Sequence, residues 1–77
     1  MCHLEIIHLD GKREEIPLRY CGRELCFLDK VRLTAAMFRR IRRHSNARIV
    51  TRSPEKIRYL LQLPKDEPGI EKPRRVY

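Results

Sequence analysis

The chain has 77 residues, with 18 lysines and arginines against 10 acidic residues and a formal charge of +8. A chain this short forms one domain and buries only about 60% of the surface its unfolded form exposes, which leaves a small core and argues against a large catalytic cleft. Leucine, isoleucine, valine and phenylalanine make up more than a quarter of the residues, enough to fold, yet no run approaches the roughly 18 apolar residues of a membrane span.

Residues 2–9 are rich in strand formers and run into Asp10-Gly11, a turn signal. Residues 13–20 follow as a second strand, with Ile16, Leu18 and Tyr20 on one face at period two. The pair predicts an antiparallel hairpin. Pro17 cannot donate to a ladder, so it belongs at a sheet edge or with its nitrogen toward solvent. Gly22 ends this strand, and Glu24 to Leu28 is a short apolar stretch that can form a third.

Thr34 is placed as the N-cap of a helix running to about His44, with Met37, Phe38 and Ile41 on its apolar face. Arg39, Arg42 and Arg43 are read on the opposite face, flanked by Arg40. Ser45-Asn46 stops the helix, and the β-branched run Arg48-Ile49-Val50-Thr51 predicts a strand. Ser53-Pro54-Glu55 combines an N-cap serine, proline at the first helical position and an acid in the first turn. The helix it opens is expected to reach about Leu63, with Ile57, Leu60 and Leu61 buried and Tyr59 outside. Residues 64–77, rich in proline and charge, are expected to form an extended or disordered tail outside a single 1–63 domain. The order ββ(β)αβα is an α+β fold: an N-terminal antiparallel hairpin with one or two further short strands, packed by two helices.

Three cysteines, Cys2, Cys21 and Cys26, and an N-terminus without the charged-then-apolar pattern of a secretory signal point to a reducing compartment, with the cytoplasm as the expectation. Cys21 and Cys26 form a C-x4-C pair, and Cys2, His3, His8 and His44 are further potential ligands. A single knuckle of this spacing does not make the usual zinc signature. Cys26, between Leu25 and Phe27, reads as a small buried hydrophobe. No metal or cofactor is expected.

The distribution of charge says more than its total. Residues 1–29 carry four basic and six acidic groups, residues 30–58 ten basic groups against Glu55 alone, and residues 59–77 four against three. Self-repulsion on this scale costs folding free energy unless an anion neutralises it. Arginine outnumbers lysine 13 to 5, and its guanidinium fork pairs bidentately with phosphate or carboxylate. A solvated helix face usually mixes signs, whereas no acid stands between Lys30 and Arg52. The leading expectation is therefore a small regulatory protein that contacts the phosphate backbone of DNA or RNA through Arg39, Arg40, Arg42, Arg43, Arg48, Arg52, Lys56 and Arg58. The helical arginines would align with Arg48 and Arg52 as one patch. The alternative is an adaptor or inhibitor, of the kind encoded by phages and mobile elements, docking its basic face on an acidic protein surface. No aromatic RNA-binding motif, GXXG loop or zinc-finger spacing narrows the nucleic acid. The histidines lack a nucleophile or acid at catalytic spacing, so no enzyme is expected. A membrane surface is disfavoured because the apolar side of the first helix is needed for the core, and two open sheet edges leave room for a homodimer.

Overall fold

A computed structural model describes residues 2–74. Five strands and two helices follow one another as β1 (Cys2–Ile7), β2 (Arg13–Cys21), β3 (Glu24–Phe27), α1 (Ala35–His44), β4 (Asn46–Thr51), α2 (Pro54–Leu61) and β5 (Ile70–Glu71). They form one mixed sheet in the order β3-β2-β1-β4-β5. All neighbours are antiparallel except β4 and β5, which α2 joins as a parallel crossover. The fold is α+β, as the hydrophobic periods implied.

The first hairpin turns where Asp10-Gly11 predicted. Gly11 adopts φ 89°, its N–H donates to His8 O, and the Asp10 side chain accepts from the Lys12 amide at 2.9 Å. Cys2 faces Leu18 and Leu4 faces Ile16 across the ladder, so Leu4 and Leu18 share one covered side of the hairpin. Pro17 sits in a strand with neighbours on both sides, but the pairing to β3 reaches only Leu18. One flank of β2 is thus open at the proline, which meets its missing donor.

α1 begins as expected: the Thr34 hydroxyl accepts from the Met37 amide at 3.2 Å. Ser53 occupies the N-cap of α2 without a side-chain hydrogen bond, and Pro54 opens the helix. This helix ends at Leu61, two residues earlier than the apolar spacing suggested. Gln62 turns left-handed at φ 56°, and the Leu63 amide reaches back to Arg58 O at 2.8 Å. β4 begins at Asn46, two residues before the β-branched run, because Asn46 and Ala47 register against Ile7 and Ile6.

Both helices cover the same side of the sheet. Phe38, Ile49 and Ile57 are completely buried there with Leu4, Leu25 and Leu33. α2 touches β3, β4 and β5.

The segment after Pro64, expected to be a tail, belongs to the domain as far as it is described. Ile70 is buried and registers against Ile49, and the Ile49 amide donates to Gly69 O at 2.7 Å. The buried area of one isoleucine and the hydrogen bonds of an otherwise open β4 edge outweigh the disorder that proline and charge favour. The last three residues of the expected tail, 75–77, lie outside the described residues.

Candidate phosphate-binding surface

The arginines of the central segment do not form one patch. Arg39, Arg42 and Arg58 gather about the 64–69 segment. Arg39 Nη2 donates to Glu67 Oε1 at 2.8 Å, and Arg58 Nη2 donates to Glu67 O at 3.2 Å. The Arg39 hydrogen bond holds the Glu67 carboxyl below its ordinary range, against the opposing effect of burial. Arg42 is half-buried, with its guanidinium carbon 6.0 Å from the Phe38 ring centroid. Four residues separate Arg42 from Phe38, and that spacing puts both on one helix face. The apolar face is centred on Phe38, so Arg42 lies over the core rather than opposite it.

Arg48 points away from the helices altogether. Strand alternation sends Ala47, Ile49 and Thr51 inward and Arg48 to the other face of the sheet. There it bridges two carboxylates. Its Nε and Nη2 donate to Glu5 Oε1 at 2.8 and 2.7 Å, and its Nη1 donates to Glu71 Oε2 at 2.7 Å. Glu5 is only 5% exposed. Burial raises its carboxyl, but the Arg48 hydrogen bonds and charge, with Arg13 adding, hold it below the ordinary carboxylate range. Arg48 is therefore the counter-ion of a buried acid contributed by the first strand, and the expected alignment with the α1 arginines is not met.

Arg40, Arg43, Arg52 and Lys56 remain exposed and make no ion pair among the described residues. Arg40 and Arg43, three residues apart, share the outer side of α1 near its C-terminus. Lys56 lies in the first turn of α2 with its ammonium 4.1 Å from the Tyr20 ring centroid, a cation–π contact. Tyr59 is exposed, as its helical phase implied.

Arg52 lines a cleft of about 480 Å³ with Lys72, Pro73 and Arg74. The topology accounts for this meeting. Arg52 directly follows β4, and Lys72 to Arg74 directly follow β5. The two strands are parallel neighbours, so their C-terminal ends open at the same margin of the sheet. Three cationic side chains line it, and no carboxylate of the described residues does. The neighbouring Glu71 is engaged by Arg48. Sequence reading missed Lys72 and Arg74 because they fall in the segment assigned to a tail. The buried Ile70 just before them, flanked by Gly69 and a charge, was the available signal.

The three cysteines are free thiols, and Cys26 is buried as its apolar neighbours implied. His8 Nε2 sits 3.0 Å from Glu14 Oε1 across the exposed first hairpin. No helix among the described residues is long and apolar enough to cross a membrane. No family model, no curated protein and no solved structure matches the chain.

Proposed function

We propose that the protein binds nucleic acid through its phosphate backbone, with the Arg52, Lys72 and Arg74 cleft as the anchor and the exposed Lys56 of α2 as a further cation. It acts by binding, without catalysis. The cleft itself carries the reading: three cationic side chains line one surface on which no carboxylate of the described residues stands to neutralise them. Most of the other central arginines already have an intramolecular task, and of the central segment's arginines Arg40, Arg43 and Arg52 are the exposed ones left without an ion pair among the described residues. Phosphate contacts of this kind give affinity and orientation with little base readout.

The test is the dependence of duplex DNA affinity on salt. Three phosphate contacts predict a log–log slope of about −2.7. Arg52→Ala, Lys72→Ala and Arg74→Ala should each flatten it by about one unit. A flat dependence in the parent protein overturns the proposal. So does a slope that survives all three substitutions, or an acidic protein that co-elutes from nuclease-treated extract while DNA fails to bind.

A further inference from the structure

The sheet face turned away from the helices carries a cluster that phosphate binding does not use. His3 stands on β1 beside Glu5, and Glu5 registers directly against Glu15 on β2. His3 Nε2 lies 4.0 Å from Glu5 Oε2 and 3.9 Å from Glu15 Oε1. The three ligand atoms all lie within 4.8 Å of one another. These separations are too long for hydrogen bonds. His3 Nε2 is nonetheless shielded from solvent and has no hydrogen-bond partner.

A second observation concerns Glu5. Its side chain is 7% exposed, and both bonds from Arg48 go to Oε1. Oε2 is left facing the imidazole, with Arg13 Nε also too distant to bond it, at 3.9 Å. A shielded ring nitrogen and a free oxygen of a largely buried carboxylate thus face each other across a gap without bonding. An ion between them would satisfy both. Two metal–ligand bonds of about 2.1 Å at a tetrahedral angle place their ligand atoms about 3.4 Å apart, so each gap between His3 and a carboxylate would close by roughly half an ångström. Glu15, an exposed side chain on β2, has the freedom to close its own gap, and the partly exposed His3 ring that toward Glu5.

We propose that His3, Glu5 and Glu15 form a binding site for a divalent transition-metal ion, with solvent completing its coordination. One imidazole and two carboxylates suit Mn2+, Fe2+ or Zn2+ better than a thiophilic ion. The local charge is compatible. Glu5, Glu15 and Glu71 contribute three negative charges, and Arg13 and Arg48 return two, so one negative charge is left over for the ion with His3 neutral. The site ties β1 to β2, and binding to the folded chain alone raises its stability by mass action.

Titration of the full chain with Mn2+, followed by the electron paramagnetic resonance signal of the free ion, tests this. Mn2+ avoids competition from the thiols of Cys21 and Cys26. One saturable site is expected, with a rise in melting temperature on saturation. His3→Ala and Glu15→Gln should each weaken binding tenfold or more, while Cys21→Ser leaves it unchanged. Circular dichroism without metal checks that the variants fold. Absence of saturable binding overturns the proposal, as does binding that survives both substitutions. The inference stands apart from phosphate binding: Glu15→Gln should leave the salt slope for DNA, measured in chelator, as it is in the parent.

Discussion

Arg48→Ala separates a structural arginine from a ligand-binding one. The parent residue donates two short hydrogen bonds to Glu5, whose carboxylate is almost wholly buried, and one to the half-exposed Glu71. The outer bond is worth little, roughly 0–1 kcal/mol, because water competes for both groups. The inner pair decides the outcome. Removing one partner of a buried ion pair leaves an uncompensated charge at a cost of about 3–5 kcal/mol, and the side exposure of Arg48 places this site near the lower end, about 3 kcal/mol. A chain of this size has a total stability of about 4–12 kcal/mol, so the loss is a large fraction of it. At about 4–8 °C per kcal/mol, the melting temperature should fall by roughly 12–24 °C. Urea unfolding and thermal melts followed by circular dichroism read both quantities. Replacing the pair together, Glu5→Met with Arg48→Leu, should recover most of the loss, because neither charge then has to be desolvated. A loss below about 1 kcal/mol for Arg48→Ala would refute the buried-counter-ion account, a figure set by the cost of an exposed pair. An unchanged stability coupled with a flattened DNA salt slope would return Arg48 to the binding surface.

The depressed carboxyls of Glu5 and Glu67 make a pH prediction. Each binds its proton less readily when folded than when unfolded, so the stabilisation is complete above the unfolded carboxylate range and is lost as pH falls through the folded values, below about pH 4. Urea midpoints measured from neutral to acid pH should show this decline, and Glu5→Gln should shallow it. Gly69→Ala should destabilise the protein by roughly 1–3 kcal/mol in equilibrium unfolding. The residue adopts φ 98°, and an added Cβ would stand 2.5 Å from Arg42 Nε. Thr34→Ala removes the side-chain cap of α1 and should cost about 1 kcal/mol in the same assay.

Local signals in the sequence determined every element but β5. Asp10-Gly11 set the first turn, Thr34 and Pro54 opened the helices, and period-two apolar residues marked the strands, because turn geometry, capping and burial act within a few residues. The chain-wide excess of arginine was equally legible. Which arginine faces which partner was decided only by the tertiary structure. Glu5 and Arg48 are 43 residues apart, and their pairing depends on β1 lying between β2 and β4. Glu67 reaches Arg39 only because the chain after Pro64 folds back to place Ile70 beside Ile49. The same return brings Lys72 and Arg74 to Arg52. Charge is a property of composition and can be counted along the chain. Neutralisation depends on distance and burial, and these exist only once the strands have found their order.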